Sequence, residues 1–495
     1  MSRVAVIGGG ISGLAAAHRL IEMADGAALP LRVALFEAGP RLGGVIHTDS
    51  IADCVVERGA DSFITNKPWA IDLCRRLGLE GRLVSTNPPY RQALVLRKGK
   101  PVPVPDGFML MAPAKIWPVV ASPIFSPLGK LRMGLERWIP SRTDLGDESV
   151  ASFVRRRLGR EALERLVQPL VAGIYTSDPE KLSLRATLPR FLEMERNYGS
   201  LIRAARRGPH AGNGSATNGT ATSQRGPESG ARYGLFVTLQ DGMSELVEAL
   251  VGRIKSGGEI HLDARVCGFN RLAGPQEGFS LAFESDEGSS THATDFDAVI
   301  MALPADRAAE LVWPLDSMLG GTLGEIEYAS SAIVCTGHAL ADVANPLNGS
   351  GLVIPAVENR RILSVSYASR KFAGRAPEGE VVLRTFVGGA LQPEMLEHSD
   401  DELIQIVRAE LGEILGVRGE PRFAVVSRHK RAMPQYHVGH LDRVRRIEEL
   451  TAAHPRLALA GNAYEGVGIP DCIGSGQRAA EHLFRALASR KTVSP

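Results

Sequence analysis

The sequence predicts an α/β fold, and three observations carry that prediction. Two apolar runs, VAVIG over 4–8 and RVALFEA over 32–38, flank a helical pattern at 14–24, which together make a βαβ unit. Residues 234–254, GLFVTLQDGMSELVEALVGRI, read as a strand, a turn and a helix. Residues 457–488 repeat the theme: the strand LALAGN, a glycine-rich turn, then the helix GQRAAEHLFRAL.

Between these anchors the remaining elements come in order. Residues 84–105 read as short strands around a Lys98-Gly99-Lys100 turn and end in PVPVP. The stretch 108–128 is apolar but broken by Pro113, Pro118, Pro123 and Pro127. It reads either as a contact with a membrane surface, with Trp117 at the interface and Lys115 snorkelling, or as the core of its own domain. Helical periodicity runs from about 129 to 205. Residues 207–231 are Gly/Ser/Thr/Asn-rich without aliphatic anchors, and such a segment reads as a disordered loop because it buries too little to offset ordering entropy. Residues 260–300 alternate as strands, 301–424 mix strands and helices, and no internal repeat is present.

The bulk numbers narrow the function classes. A chain of 495 residues suggests about two to four domains of roughly 100–200 residues. With Lys plus Arg at 57 and Asp plus Glu at 55, no basic excess calls for a nucleic-acid partner. The run Arg155-Arg156-Arg157 lies in a helical pattern and reads as a solvated face. The five cysteines are odd in number and form no CxxC, which argues against a disulfide framework and a zinc site and fits a reducing compartment. The apolar stretch at Val4 reads as a strand rather than a signal peptide, and no run of 18 apolar residues predicts a spanning helix. A triad or metal-ligand spacing is likewise missing, so the expectation is no metal and no side-chain nucleophile.

The first turn carries the chemistry. Gly8-Gly9-Gly10-Ile11-Ser12-Gly13 has the GxGxxG spacing between strand and helix. Gly8 allows the tight exit from the strand. Gly10 lets backbone N–H groups approach a pyrophosphate, and Gly13 lets the helix pack close to the sheet. Glu37, at the end of the second strand, is placed to accept from a ribose hydroxyl; the loop at 25–31 sets it slightly beyond the usual spacing. The residues just after Glu37 select FAD over a nicotinamide cofactor. Ala38 leads to Arg41, which can neutralise phosphate, and Gly43-Gly44 permits a second close backbone approach. The C-terminal glycine turn reads either as backbone N–H groups offered to another part of a large cofactor or, taken alone, as a helix cap.

These three pieces resemble the FAD architecture shared by monoamine oxidases, carotenoid desaturases and protoporphyrinogen oxidases. Six motifs select within that group: GADSF (59–63), AGIYTSDPEKLSLRATLP (172–189), QDGMSELVEAL (240–250), FAGRAP (372–377), MPQYHVGHL (433–441) and GNAYEGVGIPDCI (461–473). Together they resemble the oxygen-dependent porphyrinogen oxidases of the haem pathway, over nearly the whole chain outside 207–231. The resemblance implies a Rossmann-like FAD domain assembled from 1–83, 236–300 and 425–490. It further implies a mixed α+β substrate domain from 84–99 and 301–424, and a helical domain over 100–206 that caps the pocket and touches the membrane.

Carried over by position, Gly8 to Gly13 would hold the pyrophosphate and Glu37 the ribose. Val45 and the run Gly59, Ala60, Asp61, Ser62 would line the flavin path, and Val266 would meet the adenine through its backbone. Val467, Gly468 and Ile469 would sit near the isoalloxazine. His429 falls where family members often carry a flavin-contacting Trp, so it reads as a flavin contact or as a histidine satisfied by its own surroundings. FAD is expected to be bound non-covalently, with Cys472 a buried structural thiol. For the substrate, Gly173 would allow close approach to a macrocycle, sandwiched by Leu352 or Val353 with Phe372.

The implied reaction removes six hydrogens from a porphyrinogen, with flavin N5 taking hydride from a meso carbon and O2 reduced to H2O2; no side chain is assigned as catalytic. The propionate cation that animal and plant members carry aligns with Ala93 here, with Arg91 and Arg97 nearby. Protoporphyrinogen IX is the leading substrate reading and coproporphyrinogen III the alternative. An amine oxidase, a carotenoid desaturase and a non-catalytic flavin-binding protein are the competing classes. The implied setting is cytoplasmic, with peripheral contact at the inner face of the plasma membrane and the next haem-pathway enzyme as a partner.

Overall fold

The computed structural model describes residues 2–144, 146–207, 236–272, 278–284 and 291–489. Nearly all of the loop expected at 207–231 therefore lies outside the described residues.

A five-stranded parallel sheet forms the first layer. Its order is Gly258–His261, Leu31–Phe36, Ser2–Ile7, Ala298–Met301, Leu457–Leu459. These strands read as near-continuous apolar runs because both faces are covered. On one face pack the helices Ile11–Gly26, Ser244–Gly257 and Ile469–Ala488, around Leu14, Leu35, Leu250 and Leu483. On the other lie a three-stranded antiparallel sheet (residues 265–296) and the helices Ala305–Val312 and Ser317–Gly324, around Phe269, Met301 and Leu319.

A mixed seven-stranded sheet forms the second body, in the order Phe423–Pro434, Tyr328–Ala339, Glu380–Gly388, Ser364–Tyr367, Gly351–Val353, Ala93–Arg97, Lys100–Pro103. Alternation divides the strand Ala93–Arg97 between two cores. Leu94 and Leu96 point to the helix Asp400–Leu415, whereas Ala93 and Val95 point to the helices between 116 and 206.

Three expected boundaries shift. The strand Phe423–Pro434 pairs along Tyr328–Ala339, so it belongs to the seven-stranded sheet and not with the nucleotide-binding segments. Lys100–Pro103 pairs with Ala93–Arg97 in that same sheet rather than opening the helical region. The helices at 305–324 pack on the parallel sheet and not with the rest of 301–424.

The stretch 108–128 divides by face. Phe108, Met111, Ile124 and Phe125 are buried among the helices, while Trp117 and Leu128 are 77% and 78% exposed. Lys115 does not snorkel outward; its ammonium is ion-paired to Asp106. Nor is 155–157 a solvated face. Arg157 is fully buried, ion-paired to Glu136 and Glu195, and donates to the carbonyl of Ile139. Arg156 pairs with Glu148 and Glu195, and a charge in a helical pattern turns inward when buried acids meet it.

Candidate active site

The glycine loop is built as its spacing requires. Gly8 has φ +106°, and a Cβ on Gly13 would collide with the Gly8 carbonyl, so only glycine brings the helix this close to the strand. No side chain caps the helix N-terminus, and a Cβ on Gly10 would meet nothing within 4 Å. The first-turn N–H groups of Ile11, Ser12 and Gly13 therefore open onto free space, with the positive end of the helix behind them. Glu37 clamps the loop, its Oε2 accepting from the Gly9 N–H at 2.8 Å and its Oε1 from the Gly39 N–H at 2.9 Å, next to Ala38. Each carboxylate oxygen keeps a lone pair for a hydroxyl group.

The second glycine pair meets the first. The Gly43 N–H donates to the Gly9 carbonyl at 2.8 Å, and a Cβ on Gly44 would lie 3.2 Å from Gly10 Cα. Arg41 turns onto this loop, donating to the carbonyls of Leu42, Gly44 (2.7 Å) and Ile46. These bonds shape the turn. Val45 is 46% exposed, and its carbonyl occupies the place a Cβ of residue 59 would need, so Gly59 packs directly behind it. The Ala264 N–H donates to the Glu37 carbonyl at 2.8 Å, which brings Val266 to the end of the second strand beside a bulge at Cys267.

Behind Gly59 to Ser62 stands a buried ion cluster that sequence reasoning missed. Asp61 accepts from Lys371 Nζ at 3.0 Å and from Ser62 Oγ at 2.7 Å, and lies 2.8 Å from Arg384. Arg384 is 1% exposed and also donates to the carbonyls of Glu57 (3.0 Å) and Gly59. Burial alone would push the Asp61 carboxyl up; Lys371 and Arg384 instead hold it well below the usual carboxylate range. The single Arg within the apolar strand EVVLRTFVG was the available signal.

His429 Nε2 lies 2.9 Å from the Arg58 carbonyl, with the ring edge against Gly59. A carbonyl only accepts, so Nε2 carries the proton, and burial lowers the ring's pKa. The histidine is thus satisfied by its surroundings and abuts the flavin-path turn. At the C-terminal turn, Gly468 caps the last helix, Ile469 is buried, and Val467 packs toward the helices of 116–206. Cys472 is buried, which pushes its thiol up to about 12, so it is no nucleophile at neutral pH.

The substrate-side residues are only partly brought together. Gly173, in the helix Gln168–Tyr175, faces Val353, whose Cγ1 would lie 3.7 Å from a Cβ at 173. Leu352 points the other way into the core against Asp400–Leu415, because adjacent strand residues alternate, so Val353 is the member of the pair that meets Gly173. Phe372 does not complete a sandwich. It is 1% exposed, with Lys371 Nζ 5.0 Å and Arg375 Cζ 5.9 Å from its ring, and a ring so enclosed offers no face to a macrocycle.

A glycine cradle at one helix N-terminus with a second glycine pair against it suits a dinucleotide, and the chain matches the family of flavin containing amine oxidoreductases over residues 11–484. It belongs to that family and is an FAD-dependent oxidoreductase. Within it the chain is 35% identical to the coproporphyrinogen III oxidase of Bacillus subtilis (strain 168), over 98% of each chain. To the chloroplastic/mitochondrial protoporphyrinogen oxidase 2 of Arabidopsis thaliana it is 30% identical, over 98% of this chain and 94% of that one. A crystal structure from Exiguobacterium sp. 255-15 superposes with a TM-score of 0.83 at 29% identity, covering 98% of this chain and 99% of that one.

Proposed function

We propose that this chain oxidises coproporphyrinogen III to coproporphyrin III, with O2 as acceptor and H2O2 as product. The observation that carries it is the match over 98% of both chains to a relative of that name; Gly173 set against Val353, where a Cβ at 173 would lie 3.7 Å from Val353 Cγ1, is consistent with it. Coproporphyrinogen III replaces protoporphyrinogen IX as the leading substrate because the relative at 35% identity bears its name, against 30% for the protoporphyrinogen oxidase.

FAD, when bound, supplies a two-electron acceptor; six hydrogens leave in three such steps, each reducing one O2 to H2O2. The chain supplies position and dryness. Glu37 and the first-turn N–H groups would hold the dinucleotide end, while Gly59 to Ser62 and 467–469 would frame the ring. For the carboxylates, Arg97 is the candidate cation: it lies on the same side of its strand as Val95, about 7 Å further along, and its guanidinium now sits 4.0 Å from Glu358 Oε1, an ion pair that a substrate carboxylate would displace. Arg91 instead donates to Thr86 Oγ1 and to the Thr86 carbonyl.

Peripheral contact with an anionic lipid surface belongs to the same reading. Ile116, Trp117, Val120, Leu128, Leu131 and Trp138 are all exposed on consecutive short helices, near Lys130 and Arg137. Among the described residues no helix is long and apolar enough to cross a membrane.

Anaerobic stopped-flow mixing with each porphyrinogen in turn tests the substrate. Flavin bleaching is expected to be fast with coproporphyrinogen III and at least tenfold slower with protoporphyrinogen IX. The opposite order would reinstate protoporphyrinogen IX, and no bleaching with either would sink the porphyrinogen reading.

A further inference from the structure

The segment MPQYHVGH joins the strand Phe423–Pro434 to the helix His440–Thr451, and its side chains bond to residues at 175–177 and 462–464. Gln435 is buried; its Oε1 accepts from Ser177 Oγ, and its Nε2 reaches the Tyr175 carbonyl at 3.5 Å. Those two residues lie just beyond Gly173, at the end of the helix Gln168–Tyr175. Tyr436 donates from its hydroxyl to the Asn462 carbonyl at 2.5 Å. His440 is fully buried, with Nε2 3.0 Å from the Tyr464 carbonyl. The rings of Tyr436 and His440 stack at 3.9 Å with a 12° interplanar angle. Asn462 closes the circuit, donating to the Ala432 carbonyl at 3.2 Å.

We infer that Tyr436 and His440 are positioning residues that fix the 462–469 turn against the flavin ring, and that Gln435 ties this turn to the helix carrying Gly173. The two carbonyls they hold precede Val467, Gly468 and Ile469 by a few residues. A turn rich in glycine has no rigidity of its own, so its place is set by what grips its carbonyls. Only the tautomer with the proton on Nε2 can donate to Tyr464, and Nδ1, which has no partner among the described residues, is then unprotonated. Burial pushes the ring's pKa down to about 4, which keeps that tautomer in place at neutral pH.

The inference rests on the flavin lying beside 467–469, and the test separates the two. Holoenzyme carrying Tyr436→Phe, His440→Leu, His440→Gln or Gly468→Ala is compared with wild type for flavin absorbance and circular dichroism, FAD affinity and thermal midpoint. Tyr436→Phe and His440→Leu keep the volume but lose the donor. Each is expected to shift the flavin spectrum and weaken FAD about tenfold, whereas His440→Gln, which can still donate, restores both toward wild type. If Gly468→Ala moves the spectrum but Tyr436→Phe and His440→Leu lower only the thermal midpoint, the two residues are merely structural and the inference falls. If Gly468→Ala is also spectrally silent, the flavin placement fails, and the inference with it.

Discussion

Asp61 shows how a residue named by its motif takes its meaning from partners far away in the chain. GADSF placed it on the flavin path, but Lys371 and Arg384, more than 300 residues on, give it two cations in a buried site. Removing one member of such a cluster strands the others. Arg384→Met is expected to cost about 3–5 kcal/mol by denaturant unfolding at pH 7. The sign with pH comes from the depressed Asp61 carboxyl, which contributes stability above the ordinary carboxylate pKa of about 4 and loses it as pH falls below. The gap between wild type and variant should therefore be widest at neutral pH and close in acid; a gap independent of pH would assign Arg384 to packing alone. His429 and Phe372 carry the same lesson. Their types and positions were legible, but that one is satisfied by a carbonyl and the other is enclosed came only from their surroundings.

Helix against helix, glycine decides the approach. The first helix (Ile11–Gly26) and the last (Ile469–Ala488) pack so closely that a Cβ on Gly476 would collide with the Ser12 carbonyl. Backbone on the far side cannot swing away as a flexible side chain would. Gly476→Ala should cost about 1–3 kcal/mol and, if Ser12 and Gly13 hold the pyrophosphate as proposed, lower FAD occupancy. Urea midpoints and the ratio of flavin to protein absorbance read this out, and an unaltered pair of values would mean that the helices part without consequence. The GxGxxG element itself was legible because its glycines, strand and helix are local. The strand Phe423–Pro434 was not, because a strand's sheet is chosen by its pairing partner and not by its own pattern.

Across the molecule, the apolar surface running from Ile116 to Trp138 is larger than the 108–128 stretch that suggested it. Four of its side chains exceed 60% exposure, and the helices beneath it have a core of their own, so the exposure is not a failure of packing. Wild-type protein is expected to co-sediment with phosphatidylglycerol vesicles, and the double variant Trp117→Ser/Leu128→Ser to bind them roughly tenfold more weakly. Vesicle-independent dimerisation that the same variant abolishes would show the face meeting a second copy instead.

Local pattern was enough to reveal the nucleotide-binding βαβ unit and the FAD preference read after Glu37, since each depends on residues close in sequence; the structural thiol at Cys472 came from the resemblance. The tertiary structure alone decided that Val353 and not Leu352 faces Gly173, that Lys115 is tied to Asp106, that Arg157 is buried, and that Arg384, Tyr436 and His440 hold the carbonyls of Gly59, Asn462 and Tyr464. Those facts depend on which strands pair and which charges meet across hundreds of residues, and long-range pairing leaves no periodic trace in a single sequence.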